Sequence, residues 1–385
     1  METPSDLEVS IVLPCLNEER TLGVCIAKAA GFLASHHIQG EIIIADNGSS
    51  DRSVEIAHSL GARVVRVAEK GYGHALRGGF AAARAKYIIM ADADDSYDLE
   101  NLMPFVEKLR EGYELVMGNR FKGGIKKGAM PWHHRYIGNP VLSFIGKLFF
   151  KTPANDFHCG LRGFTKEAVQ KMDLQTTGME LASEIVIKAS LLGMKTCEVP
   201  TTLSPDGRDR PPHLRSFRDG WRHLRFLLMY SPKWLFLYPG IILLAVTGAL
   251  NFALFFGPVN IGFRLIDFHT FIVTGVLMIL ALNMISFSAI AQVYAYNTKL
   301  LPMQPGFYPL FRYFNLEAGV TTGIVLFLSG SALIAWSIFL SPEFNEIGYA
   351  VSIRLVFGGS LALAIGWQIA MTSFVLSILG ISLRD

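Results

Sequence analysis

Four long stretches without a single Asp, Glu, Lys or Arg follow Lys233, and they bound what this chain of 385 residues can become: Trp234–Phe263, Phe268–Thr298, Ala318–Pro342 and Leu355–Leu383. Each exceeds the roughly 20 apolar residues that carry an α-helix across a bilayer core. Core helices of a large soluble protein can be as apolar, but four successive charge-free runs of this length are not expected of one. Before Lys233 the character changes, with frequent charges and Gly between short apolar runs. The sequence therefore predicts a polar domain over 1–205, a juxtamembrane segment over 206–232 and a membrane domain of four transmembrane helices over 233–385.

Charge and cysteine usage narrow the setting. A net charge of +3 gives no ground for a nucleic-acid partner, and six Arg are concentrated between Asp206 and Arg225. Cys15, Cys25, Cys159 and Cys197 all lie in the polar half without C-x-x-C spacing, which predicts free thiols in a reducing compartment. No short, positively flanked apolar signal opens the chain. The expectation is a multi-pass protein of the cell membrane with its polar domain in the cytoplasm. An even number of spans would return Arg384 to the same side. Asn283, Gln292 and Gln368, polar within the spans, should face other helices or a cavity.

From about Val9 to Val199, aliphatic runs alternate with helical patterns. Strands are expected over 9–13, 41–45, 63–67, 87–91 and 115–118, and helices over 20–34, 53–60, 73–85 and 99–110. Short strands buried on both faces and alternating with helices imply a mostly parallel sheet covered on both sides. Ligands of such sheets bind at the carboxyl ends of the strands. The polar residues gather there: Pro14, Asn17 and Glu18 after the first strand, Asp46 to Asp51 after the second, Asp92 to Asp98 after the fourth, and Asn119-Arg120 after the fifth.

Asp92-Ala93-Asp94 places two carboxylates where both can reach a hard divalent cation through oxygen. Such a cation neutralises charge on a departing diphosphate. A solvated acidic turn with Asp98 capping the next helix would explain the same residues without a ligand. The strand-end position favours the ligand. Asp46-Asn47-Gly48 could likewise form a hairpin, but a helical pattern follows from Ser53, so the loop joins strand to helix.

The strings Ser10-Ile-Val-Leu-Pro-Cys-Leu-Asn-Glu-Glu19, Ala45-Asp-Asn-Gly-Ser-Ser-Asp51 and Met90-Ala-Asp-Ala-Asp94 resemble the inverting family 2 glycosyltransferases with the A-type nucleotide-sugar fold. Gly118-Asn-Arg120 and Asp156-Phe-His-Cys-Gly-Leu-Arg-Gly-Phe164 bring the chain nearer to dolichol-phosphate mannose synthases and bacterial polyprenyl-phosphate glycosyltransferases. The resemblance covers about Val9 to Pro200. It implies an α/β nucleotide-sugar-binding domain (A-type glycosyltransferase) followed by an interfacial helix and four transmembrane α-helices. It implies a hexosyltransferase that moves sugar from a UDP- or GDP-linked donor to a polyprenyl phosphate, undecaprenyl or dolichyl, with Mg²⁺ or Mn²⁺ as cofactor. Pro14, Asn17, Glu18, Asp46, Gly73, Asp92 and Ala93 would then contact the nucleotide sugar, and Asp92, Asp94 and Ser96 the metal. Asp94, Asp156 and Arg120 would form the catalytic group. Ser96 stands where a metal-facing Gln is often found in the family, and Asn119 where a Ser is commoner.

Asp156 has two readings: it positions donor or acceptor, or it is a turn former. Arg162 could pair with Asp156 or with phosphate. Arg208, Arg210 and Arg215 precede a segment in which Phe217, Trp221, Leu224 and Leu228 share a helical face beside Arg218, Arg222 and Arg225. That face is the pattern of a helix lying in a membrane interface. With Arg162, the three preceding arginines are expected to hold the acceptor phosphate through bidentate pairing; simple attraction to anionic lipid is the competing account. A lipid-hydroxyl or polysaccharide glycosyltransferase is an alternative, disfavoured by the absence of a Q-x-x-R-W motif. A nucleotide-sugar-binding component of a polyprenyl-sugar flippase is another. A homo-oligomer is compatible with the sequence.

Overall fold

The structure is a computed structural model that describes residues 7–207, 216–262, 264–298, 301, 316–340 and 348–380. The chain divides into two compact units, Met1–Leu227 and Leu228–Asp385.

The first unit is built on a seven-stranded sheet of order β3-β2-β1-β4-β6-β5-β7. Its strands are β1 (Val9–Cys15), β2 (Gly40–Asp46), β3 (Arg63–Arg66), β4 (Tyr87–Met90), β5 (Leu115–Asn119), β6 (Arg162–Thr165) and β7 (Thr196–Pro200). Val9, Ile11, Val12 and Leu13 of β1 are fully buried, as a central strand covered on both faces requires. The helices that cover it are α1 (Leu22–Ser35), α2 (Ser53–Ser59), α3 (Tyr72–Ala82), α4 (Met103–Arg110), the single turn α5 (Arg120–Gly123), α6 (Asn139–Phe150), α7 (Lys166–Met172) and α8 (Leu181–Leu191), with a π-helical turn His134–Gly138 entering α6. The expected parallel sheet holds for β1 with β2 and β4, β2 with β3, and β5 with β7. Strand β6 is the exception, wedged antiparallel between β4 and β5. Its sequence, Arg-Gly-Phe-Thr, carries no aliphatic run, so only tertiary pairing makes it a strand.

Two registers set the site. Cys15 pairs with Asp46, so β1 and β2 end flush, and Val12 pairs with Met90, so β4 ends on the other side of β1. The chain order reverses between β1 and β4, the kind of switch point at which open α/β sheets bind ligands. The helix expected from Leu99 begins instead at Met103, and Asp98 accepts from the Glu100 amide at 3.2 Å in a local turn rather than capping it.

Helix α9 (Ser216–Met229) follows. Trp221, Arg222 and Arg225 on it are exposed, Leu224 and Leu228 half-buried, and His223, Phe226 and Leu227 buried.

The second unit holds α10 (Tyr238–Phe256), a short hairpin of β8 (Val259–Ile261) and β9 (Arg264–Ile266), α11 (Phe268–Asn297), α12 (Leu316–Ala335) and α13 (Gly348–Leu379). Four segments are long and apolar enough to cross a membrane: Lys233–Phe256, Phe268–Asn297, Leu316–Ile338 and Gly348–Leu379. Several polar side chains inside them find partners, as hydrocarbon requires. Asn251 of α10 donates to the Phe271 carbonyl (2.9 Å) and Thr274 hydroxyl (3.0 Å) of α11, and the buried Gln292 donates to Ser288 at 3.0 Å. Asn283 turns back to its own helix, donating to the Ile279 carbonyl. Arg354 lies buried within α13, donates to the Leu254 carbonyl and pairs with Asp267 at the head of α11.

Candidate active site

The loops after β1 and β2 are stitched together by short polar side chains. Asn17 has a left-handed backbone (φ 58°), accepts from the Ser50 amide at 2.7 Å and donates its own amide to the Ser49 hydroxyl at 3.0 Å. Glu18, buried, donates its amide to Ser53 at 2.8 Å. The Asp46 carboxylate accepts from the amides of Gly48 (3.2 Å) and Ser49 (3.0 Å), which fixes the strand-to-helix turn and leaves no hairpin. Pro14 is half-exposed at the end of β1. The residues assigned to the nucleotide from the first two loops thus share one edge of the sheet.

The third loop is tied to the first through Thr21, whose hydroxyl donates to the Ala93 carbonyl at 2.7 Å. Asp92 is half-buried and accepts from the Tyr72 hydroxyl at 2.9 Å. Burial, and then the Asp92 charge, push the Tyr72 phenol well above its ordinary range, so it stays protonated and remains a donor. The Asp92 carboxylate also rests against Gly160, where an added Cβ would lie 2.5 Å from Oδ2. Asp94 is buried, and its Oδ1 accepts from both the Ser96 amide (3.1 Å) and hydroxyl (2.6 Å).

This geometry bears on the ligand set for a metal. The Ser96 proton is held by Asp94, so Ser96 orients that carboxylate, and its oxygen keeps the lone pairs that a cation would use. Among the described residues no group of three His, Cys, Asp or Glu could hold a metal ion. Two carboxylates without a third suit a cation that completes its oxygen shell from a diphosphate and water, as Mg²⁺ commonly does.

Across β4, Arg120 and Asp156 form a buried fork. Arg120 donates through Nε and Nη2 to the two carboxylate oxygens, each at 2.7 Å, and its backbone amide adds a bond of 2.9 Å. Asp156 is fully buried and Arg120 8% exposed, and the Nη1 group makes no hydrogen bond among the described residues. Burial opposes the guanidinium charge, but Tyr97 and Asp156 outweigh it, and Arg120 holds its proton above the usual arginine range. Glu198 organises the surrounding loop, accepting from the Asp156 amide (3.0 Å) and from the side chains of Asn155 (2.7 Å) and Asn119 (2.8 Å). Burial pushes the Glu198 carboxyl up, and these donors more than reverse it, so the group lies below its ordinary value.

Two residues assigned to ligands from the sequence have partners within the chain itself. Arg162 does not pair with Asp156: fully buried, it donates to the carbonyls of Cys159 (2.8 Å), Ala182 (2.7 Å) and Phe157 (3.0 Å). A guanidinium spent on three carbonyls is a clamp for the 157–160 loop. Gly73 permits a close approach, but to the chain itself: an added Cβ would lie 2.7 Å from the Thr176 carbonyl oxygen, and the Gly73 amide donates to Thr177 at 2.9 Å. Arg208, Arg210 and Arg215 lie outside the described residues.

Sequence reasoning missed Tyr72, Thr21, Gly160 and Glu198. Tyr72 carried a signal, standing between two glycines at the mouth of a strand-to-helix turn. Glu198 carried none, being an ordinary residue of β7 until the Asp156 loop folds onto it.

The description "Glycosyl transferase family 2" matches residues 10–173, and "Glycosyltransferase family 2 C-terminal transmembrane region" matches residues 289–380. The Low-salt glycan biosynthesis hexosyltransferase Agl6 of Haloferax volcanii is 36% identical over 380 residues, covering 97% of this chain and 89% of that protein. The Dolichyl-phosphate hexose transferase of the same organism is 30% identical over 196 residues, covering 50% of this chain and 81% of that protein. Among solved structures, glucosyl-3-phosphoglycerate synthase from Mycobacterium tuberculosis, crystallised with Mn²⁺, uridine diphosphate and glucosyl-3-phosphoglycerate, aligns with a TM-score of 0.45 at 21% identity over 58% of this chain and 78% of that one.

Proposed function

Because the chain belongs to glycosyltransferase family 2, we propose that it transfers a hexose, with inversion, from a UDP- or GDP-linked donor to a polyprenyl phosphate at the cytoplasmic face of a membrane. The observation that carries this reading is the union, in one chain, of a polar site at the switch point of an α/β sheet with four membrane-length helices. A donor site joined to a membrane anchor favours an acceptor that lives in the membrane. The half-chain similarity to a dolichyl-phosphate hexose transferase supports a lipid phosphate over a lipid hydroxyl.

The chemistry asks little of the protein as a base. A phosphate monoester loses its second proton with a pKa of about 6, so the acceptor oxygen is already anionic at neutral pH. It attacks the anomeric carbon as the bond to the diphosphate oxygen breaks, and the electron pair leaves with the nucleoside diphosphate. Asp156, with both oxygens taken by Arg120, suits positioning and not proton removal. Asp46 and Glu18 would face the nucleoside, and Arg120 the sugar diphosphate or acceptor. Asp92 and Asp94 would hold a divalent cation, which supplies positive charge beside the leaving diphosphate. Tyr72 and Ser96 would keep those carboxylates aimed. Arg208, Arg210 and Arg215 remain the proposed clamp for the acceptor phosphate, because they precede the first span where a lipid headgroup must emerge.

The test uses purified full-length protein, labelled nucleotide sugars and polyprenyl phosphate with Mg²⁺ or Mn²⁺, scored as label entering the organic phase. Chelator and Asp94→Asn should each abolish transfer while the fold is kept by circular dichroism. Full turnover in chelator, or a parental rate in Asp94→Asn, would remove the metal from the proposal. Label that never leaves the aqueous phase with any donor would remove the lipid acceptor.

A further inference from the structure

Helix α6 and the turn before it expose a continuous apolar stripe. Trp132 (68% exposed), Tyr136 (68%), Ile137 (53%), Val141 (48%), Phe144 (66%) and Leu148 (43%) all reach solvent from the first unit. The last four recur at intervals of four, three and four residues, which puts them on one side of a helix. The opposite side, with Ser143, Gly146 and Phe150, is buried against the domain. A helix inside a soluble domain would not leave its larger apolar side in water, because an exposed contiguous apolar patch marks a surface that something covers.

Charge identifies the covering. Between residues 121 and 151 the chain carries Lys122, Lys126, Lys127, Arg135, Lys147 and Lys151 and no Asp or Glu at all. An apolar face with Trp and Tyr at one end and only basic residues around it fits an anionic lipid surface, where aromatic rings sit at headgroup level and Lys or Arg reaches lipid phosphate. A protein partner with an apolar groove would satisfy the stripe but not account for the one-sided charge. The membrane is also within the chain's own reach, since the first span begins at Lys233, a few residues beyond the end of this unit at Leu227.

We infer that the Trp132–Leu148 face is a membrane-docking surface of the catalytic unit, separate from α9, and that its occupant is the headgroup and upper acyl layer of an anionic bilayer. The consequence reaches the site. His134 opens this segment, and burial, together with the charges of His133 and Arg120, holds its imidazole below the ordinary value. The docked segment therefore starts within electrostatic reach of the Arg120–Asp156 fork and holds that side of the site near the lipid phosphates. This docking stands whether the sugar acceptor is a lipid phosphate or another lipid group.

The experiment places a nitroxide at Phe144→Cys in full-length protein reconstituted into vesicles of phosphatidylcholine and phosphatidylglycerol. Cys15, Cys25 and Cys159 are buried, and Cys197→Ser removes the half-buried thiol that could compete for label. Phe144 is largely exposed and lies outside the buried core, so its replacement leaves that core intact. Collision with dissolved oxygen should exceed collision with a water-soluble nickel chelate, giving a depth of about 5–10 Å below the phosphate level. A label at Glu107→Cys, an exposed site on α4, should read as aqueous in the same vesicles. If the two labels are equally open to the chelate, no docking occurs and the inference fails. If Phe144→Cys is shielded but shows spin–spin broadening that vanishes on dilution with unlabelled protein, a second copy covers the stripe and the lipid surface is refuted.

Discussion

The Arg120–Asp156 fork allows a double-mutant test that separates a structural ion pair from a working one. Asp156 is 0% exposed and receives three donors, two of them from the Arg120 side chain at 2.7 Å. Removing either partner strands the other charge without water. Breaking a buried pair in this way costs about 3–5 kcal/mol. For a domain of this size, where each kcal/mol moves Tm by about 2–4 °C, Arg120→Met or Asp156→Leu should lower the melting temperature of the first unit by about 6–20 °C. Replacing both with apolar side chains removes both desolvation penalties, and such replacements are often neutral. The double variant Arg120→Met/Asp156→Leu should therefore melt near the parent. Transfer should not recover, because the guanidinium proposed to meet the substrate is gone; one lost charge-assisted contact of about 1.5–3 kcal/mol is worth about tenfold to a hundredfold in kcat/KM. Thermal unfolding by near-ultraviolet dichroism and label transfer are read on the same four proteins. Single variants that melt with the parent would refute the stranded-charge argument. A double variant that regains both stability and transfer would show that the fork only holds the fold.

Three further outcomes follow from the site. Gly160→Ala would push a methyl group to 2.5 Å from Asp92 Oδ2; donor affinity by calorimetry should fall while secondary structure is unchanged, and unaltered affinity would free Asp92 from the donor site. Burial raises the thiol pKa of Cys25 to about 12 and of Cys159 to about 11, so both stay as unreactive thiols at pH 8 and gain thiolate only as pH rises toward those values. Iodoacetamide at pH 8 should spare them in native protein and modify them in urea, by peptide mass mapping, and rapid native labelling would contradict the packing. Arg215→Ala should raise the acceptor KM about tenfold to a hundredfold with donor affinity unchanged, whereas Arg225→Ala should not; matching behaviour of the two would leave the cluster as general attraction to anionic lipid.

How far the sequence could be read depended on where each residue's partners lie along the chain. Strands β1 to β5 were legible because each is a local run of aliphatic residues, and the edge of the site followed from the polar residues that end four of those runs. Strand β6 was not, since Arg162–Thr165 has no strand pattern of its own and is made by β4 and β5 on either side. Helix α6 was hidden for a related reason. Its apolar residues fall both on the side packed against the domain and on the exposed stripe, so no polar face marks it as amphipathic. The same dependence explains Gly73, whose neighbours at Thr176 and Thr177 are a hundred residues distant in sequence and a bond length or two in space.

Arg162 shows why a motif can be recognised while one of its roles is misassigned. The segment Asp156 to Arg162 offers a candidate site residue at each end, and the two do different work. Arg162 donates to the carbonyls of Phe157 and Cys159 in the loop before it and to Ala182 in the first turn of α8, so it ties the loop to the domain. With the loop held, Asp156 meets Arg120 on one side, and Gly160 on the other leaves just enough space for Asp92 to accept from Tyr72. The Tyr97 hydroxyl accepts the Gly160 amide at 2.8 Å and locks that end. A fully buried guanidinium is expensive unless it is hydrogen-bonded, and here each of its three nitrogens donates to a carbonyl. Losing Arg162 should therefore disturb both halves of the site together, the Arg120 fork and the Asp92 carboxylate, although Arg162 itself touches neither.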